Sequence, residues 1–225
     1  MGLLSKMARN TSSYKMSDNK ATIRLKDAKP EMIVRHGFEG TRNATQRIKM
    51  KKEEIISARP EDTDFIAWIV AQGMHMDGVP SFLKKHGARD DTLYSWQNTR
   101  LLRCDGKLAG GLISYDGATH EERRRNTWVM PDGRLLSSGD VPETMAGEYY
   151  LDSLAIVPEF RGHGLWRLLF DDAVETAKGK GFHRVTLICE ESCPKLAQLY
   201  TSYGFVPENT FSYFDKLYRK MSLSI

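Results

Sequence analysis

Pro158-Glu159-Phe160-Arg161-Gly162-His163-Gly164-Leu165-Trp166-Arg167-Leu168-Leu169-Phe170 joins one apolar run to another through a short turn that holds two glycines. Upstream, Tyr149 to Val157 is aromatic and aliphatic enough for a buried strand, and Pro158 ends its ladder pairing. Downstream, Leu165, Trp166, Leu169, Phe170, Ala173, Val174 and Ala177 recur at three- and four-residue spacing, as one face of a helix does. The turn therefore opens a helix, where unpaired N–H groups and the positive end of the dipole favour a phosphate or pyrophosphate. A Walker loop is excluded because no Gly-Lys-Ser/Thr precedes the helix. A Rossmann fingerprint is excluded because Arg167 stands where its third glycine would be.

A second segment, Ala197-Gln198-Leu199-Tyr200-Thr201-Ser202-Tyr203-Gly204-Phe205, follows a β-branched run, Arg184 to Cys189. The order is strand, helix, strand, helix. Taken together, the two segments resemble the GNAT superfamily of acyl-CoA-dependent N-acetyltransferases. Its signature, Arg/Gln-x-x-Gly-x-Gly/Ala, is matched by Arg161 and Gly164, and the Tyr-x-x-x-Gly-Phe part of its C-terminal element by Tyr200, Gly204 and Phe205, with Ala197 three positions before the tyrosine. Trp166 stands where the family has a small residue, and Pro194 where it commonly has Asn. The resemblance covers roughly residues 53 to 225.

That resemblance implies a mixed α/β fold: a central, mostly antiparallel sheet, splayed between its fourth and fifth strands and flanked by helices. It also implies where the coenzyme lies. Backbone groups of Leu154, Ala155 and Ile156 would meet pantetheine, and the amides of Arg161, Gly162, His163, Gly164, Leu165 and Trp166 the pyrophosphate. Tyr200 would donate to the coenzyme sulfur, and the Ile156 N–H to the acyl oxygen. The implied reaction is acetyl transfer from acetyl-CoA to an amine by direct attack in a ternary complex, with no metal. An acyl-CoA-binding sensor or interaction domain of the same fold is the alternative.

Direct attack needs a neutral amine. A lysine-like group with pKa near ~10.4 is neutral only about once in 2,500 molecules at pH 7, a handicap of roughly 4.6 kcal/mol that a base must relieve. Glu148 and Asp152, near or on the splayed strand, are the candidates for that base, ahead of His120 and Glu121. Cys189 and Cys193 would suit an acyl-cysteine route, but no partner histidine accompanies them in sequence.

Composition narrows the alternatives. The net charge of +4 conceals an asymmetry: residues 1 to 49 carry eleven Lys/Arg against four Asp/Glu, leaving 22 basic and 25 acidic side chains beyond. The remainder is slightly acidic, which argues against a nucleic-acid face. No stretch is apolar enough to span a membrane. Three cysteines, Cys104, Cys189 and Cys193, suggest neither a disulfide framework nor a zinc site and fit a cytoplasmic protein.

Residues 1 to 49 read as a basic, polar extension, and Met50 as a plausible natural start; residues 50 to 225 read as the acetyltransferase domain. Within it the sequence predicts a strand at about 54 to 59, a capped helix from Pro60, a short helix over Val79 to His86, and a hairpin turning at Asp105-Gly106. Residues 116 to 147 read as a polar insertion, which the resemblance implies borders the acceptor site, and Phe211 to Leu223 as one or two final strands. The acceptor, a small molecule or a protein amine, is not legible, and a homodimer is left open.

Overall fold

The computed structural model describes residues 52–129, 141–213 and 216–225; the extension over residues 1 to 49 lies outside them. Seven strands form one sheet in the order β1-β2-β3-β4-β5-β7-β6. They are β1 Glu53–Ser57, β2 Thr99–Cys104, β3 Lys107–Asp116, β4 Tyr149–Ile156, β5 Arg184–Glu190, β6 Val206–Tyr213 and β7 Lys216–Ser224. All neighbours are antiparallel except β4 and β5. The Asp105-Gly106 hairpin forms as the sequence predicts, with both residues at positive φ, as a tight two-residue turn requires.

Among the described residues four α-helices flank the sheet: α1 Thr63–Gly73, α2 His120–Thr127, α3 Trp166–Gly179 and α4 Pro194–Tyr203. A single 3-10 turn, Pro60–Asp62, leads into α1, where the Asp62 carboxylate accepts the Arg59 N–H at 2.8 Å. The apolar stripe of α3 buries Leu169, Phe170, Ala173, Val174 and Ala177, so α3 and α4 cover one face together with Tyr149, Leu151, Leu187 and Phe205. Burial of each large side chain there is worth about 2–3 kcal/mol. On the other face α1 packs Ile66, Ile69 and Val70 against Leu101, Ile113, Tyr115 and Tyr150.

Val79 to His86 departs from the predicted helix. Only Leu83–Lys85 forms a 3-10 turn, because the segment is held by tertiary contacts: the Lys84 carbonyl accepts the Thr63 hydroxyl at 2.6 Å, and Gly87 lies so close to Thr63 that a Cβ would meet it at 2.5 Å. The polar insertion contains α2, which follows a 3-10 turn, Gly117–Thr119; residues 130–140 lie outside the described residues. Both final strands form.

Candidate functional site

The site begins where β4 leaves β5. The two strands pair only at Tyr149↔Val185 and Tyr150↔Thr186, although β5 runs on to Glu190 and pairs with β7 along its whole length. Beyond Tyr150 the facing edges of β4 and β5 are therefore unpaired. Alternation along the strand says which groups face the gap: the Val157 N–H donates to the Ala109 carbonyl on the β3 side, so Ile156 and Leu154 direct their N–H and C=O groups the opposite way. Ala155 lies between them, its backbone turned to β3.

An irregularity accompanies the separation. Ser114 pairs with Leu151 and Ile113 with Ser153, so Asp152 is the extra residue of a β-bulge, the device that bends a strand and re-aims a side chain. Before the bulge Tyr149 and Leu151 face α3 and Tyr150 faces α1; after it Leu154 and Ile156 face α3 and Ala155 faces α1.

At the far end of β4 the chain makes a 3-10 turn, Pro158–Phe160, and then the loop into α3. Gly162 and Gly164 hold φ values of +79° and +74°, a left-handed region costly for residues with a Cβ, and a Cβ on either would meet nothing of the protein within 4 Å. Among the described residues no backbone carbonyl accepts the N–H groups of Gly162, His163, Gly164, Leu165 or Trp166. Five consecutive donors at a helix N-terminus with open space before them form a cradle suited to a pyrophosphate.

The Arg161 guanidinium is engaged within the protein, its Nε donating to the Ile156 carbonyl at 2.8 Å and Nη2 to Gln72 of α1 at 3.3 Å. It ties the loop to the end of β4 and to α1. Trp166 turns onto α4, edge-on to Phe170 at 5.3 Å and against Tyr203 at 5.9 Å, with the Arg167 guanidinium 4.6 Å above its ring. That packing accounts for a bulky residue at this position.

Tyr200 lies on the α3 face, its ring stacked on Phe170 at 5.9 Å and 6.3 Å from Phe205. Among the described residues its hydroxyl has no hydrogen-bond partner, and burial raises its phenol well above the ordinary value of 10.0. It keeps its proton at any working pH. Cys189 shares this core, and burial pushes its thiol up to about 12, unsuited to an acyl-cysteine route.

The two candidate bases differ. Glu148 sits at the closed end of the gap, fixed by Lys220 at 2.7 Å, the Thr144 hydroxyl at 3.1 Å and the Met145 N–H at 3.2 Å. Burial alone would raise its carboxyl, but the Lys220 hydrogen bond and charge outweigh it and hold it below the ordinary carboxylate range. This carboxylate also lines a cavity of about 370 Å³ with Arg184, Glu208, Phe211 and Lys220.

Asp152, half-buried on the α1 face, accepts the Tyr115 hydroxyl at 2.5 Å and the Ser153 hydroxyl at 2.7 Å. Burial first, then the charge of Glu143, push its carboxyl up to about 6, with those two hydrogen bonds pulling the other way. Its proton affinity is that of a general base working near neutrality.

Glu143 and the tyrosines around it carry no local sequence signal. Glu143 is 8% exposed and accepts the Tyr150 hydroxyl at 2.6 Å; His120, 3% exposed, places Nε2 3.7 Å from it. A buried carboxylate after a polar, glycine-rich stretch is invisible until the fold closes over it.

Residues 79–205 match the family model described as Acetyltransferase (GNAT) family. A mycothiol acetyltransferase of Beutenbergia cavernae is 34% identical over 97 residues, 38% of this chain and 32% of that protein. A second, from Stackebrandtia nassauensis, is 28% identical over 138 residues, 53% of this chain and 44% of that protein. The chain thus spans less than half the length of either relative. An N-acetyltransferase structure from Staphylococcus aureus Mu50 superposes with a TM-score of 0.65 at 22% identity, covering 76% of this chain and all of that one, a likeness of fold.

Proposed function

The chain belongs to the acetyltransferase (GNAT) family, and from that premise we propose that it transfers an acetyl group from acetyl-CoA to an amine within a ternary complex. The observation that carries this reading is the continuity of the unpaired β4 edge with the five-donor cradle: one extended ligand with amides in its middle and a pyrophosphate at one end suits both. The N–H and C=O of Leu154 and the N–H of Ile156 would hold pantetheine, and the amides of Gly162 to Trp166 the pyrophosphate. Arg161 serves by fixing the loop.

Acetyl-CoA, when bound, supplies an activated acyl carbon and a thiolate leaving group. On the α1 face, Asp152 takes the proton of the incoming ammonium; at pH 7, above its pKa of about 6, most of it is ionised and able to do so. From the α3 face, Tyr200 donates to the departing sulfur. The Ile156 N–H donates to the acyl oxygen. The gap in the sheet lets base and acid act from opposite sides without exchanging a proton with each other. Glu148, neutralised by Lys220, holds the closed end of the gap rather than serving as base.

The acceptor class is tested by a screen with acetyl-CoA reading free-thiol release across polyamines, aminoglycosides, amino acids and protein N-termini. The names of the two relatives add a mycothiol-related amine to that panel. Turnover of one class with a saturable rate supports the reading. Tight coenzyme binding with no acceptor turned over would favour a sensor.

A further inference from the structure

On the α1 face four side chains, Tyr115, His120, Glu143 and Tyr150, close a ring to which Asp152 is joined through Tyr115. Asp152 of β4 accepts the Tyr115 hydroxyl at 2.5 Å; the Tyr115 ring lies parallel to His120, centroids 6.2 Å apart; His120 Nε2 is 3.7 Å from Glu143; Glu143 accepts the Tyr150 hydroxyl at 2.6 Å; and Tyr150 lies 5.7 Å from Tyr115. Among the described residues His120 Nε2 is buried without a hydrogen-bond partner, set between the Tyr115 and Tyr150 rings with the Glu143 carboxylate 3.7 Å away. Only Asp152 is half-exposed; the other four are buried.

Glu143 ties its segment to β4 through the Tyr150 hydroxyl, and it is also a second buried carboxylate set against the same Tyr115–Tyr150 pair as the proposed base. Resting on the reading of Asp152 as the base, we infer that Glu143 and His120 are positioning residues which set how readily Asp152 takes up a proton, Glu143 strengthening its hold and His120, in its protonated form, weakening it. The physical basis is charge acting across a ring-lined, water-poor space, where screening is weak. Glu143 cannot shed its charge to relieve the repulsion: burial opposes ionisation, but His120 and the hydroxyls of Tyr150 and Tyr213 outweigh it and hold the carboxyl below its ordinary range.

Among the described residues, the remaining groups facing the pair are Tyr94 before β2, Arg124 of α2 and Tyr218 of β7. Burial keeps the Tyr94, Tyr115, Tyr150 and Tyr218 phenols protonated at neutral pH, and Arg124 stays charged, so none of these changes state where Asp152 titrates.

The test is the titration of Asp152 in the full chain, followed by NMR of 13C-carboxyl-labelled aspartate and assigned by the resonance that Asp152→Asn removes. Glu143→Gln keeps the acceptor for Tyr150 and deletes the charge, so the midpoint should fall by roughly half a unit or more. His120→Gln should raise it, and Glu143→Asp should leave it near the parent value. The acid limb of kcat/KM against pH should move with each midpoint. An unchanged midpoint in either glutamine variant, or shifts of the same sign in both, overturns the inference. Should Glu143→Gln fail to fold by circular dichroism, the His120→Gln midpoint decides alone. Failure of the base assignment is distinguishable: Asp152→Asn would then keep its turnover while the midpoints still moved.

Discussion

Replacing Tyr200 by Phe separates catalysis from packing because the structure assigns ring and hydroxyl different neighbours. The ring is stacked on Phe170 at 5.9 Å with an interplanar angle of 16° and touches the Phe205 cluster, all of which phenylalanine keeps. The hydroxyl has no hydrogen-bond partner among the described residues, so its removal leaves no donor or acceptor stranded. Stability in urea should change by no more than about 0.5 kcal/mol. If the hydroxyl protonates the departing sulfur, single-turnover rates should fall ~10²-fold, equivalent to about 2.7 kcal/mol in the barrier. Coenzyme affinity, measured by calorimetry, should change little. Because burial lifts the phenol well above 10, its ionisation produces no alkaline decline below that pH, and the parent and variant profiles should run parallel. Retention of most of the turnover when chemistry limits the rate would refute the acid role. So would a loss matched by an equal loss of coenzyme affinity, which would make Tyr200 a binding residue.

Gly164→Asp places a Cβ at φ +74° and a carboxylate among the cradle amides; calorimetry should find coenzyme A binding lost by ~100-fold or more, with a folding cost of about 1–2 kcal/mol seen in thermal melts. Asp152→Asn should cut turnover by ~10²- to 10⁴-fold. It should also be more stable than the parent at pH 7: a raised carboxyl pKa means that the fold penalises the ionised form, so the advantage shrinks as pH falls through about 6 and disappears below the unfolded value near 3.8. Lys220→Met removes the buried partner of Glu148 and leaves it only the more exposed Arg184 at 3.3 Å, so it should cost about 2–4 kcal/mol in urea denaturation; adding Glu148→Gln should recover part of that loss.

The proposed coenzyme half of the site was legible in sequence because it is contiguous. Strand, proline, glycine turn and helix follow one another from Tyr149 to Ala177, and each carries a local signal of pattern or backbone preference. The proposed acceptor half was legible only in part: Asp152 and His120 stood out as acid–base candidates, Tyr115 and Glu143 did not. Tyr115, His120, Glu143 and Asp152 meet only after β3, α2 and β4 have packed, and neither the spacing of Glu143 nor its neighbours in sequence mark it as buried. Val79 to His86 misled for a related reason: apolar residues at helical spacing were recruited to the α1 face by an irregular segment whose course is fixed by Thr63 and not by its own periodicity. Glu148 and Asp152 looked alike as acids near one strand; a lysine 72 positions away from Glu148 is what separates them.

The bulge at Asp152 makes the proposed base supernumerary to the architecture. With that residue struck out, Tyr149, Tyr150, Leu151, Ser153, Leu154, Ala155 and Ile156 alternate between the two faces without interruption, as in an ordinary strand. A one-codon deletion would therefore preserve every core assignment of β4 while excising the carboxylate. Conversely, the acid could enter an existing strand by a single inserted codon with no core residue changing sides. In this strand the reactive group and the folding pattern are separable at the level of the gene.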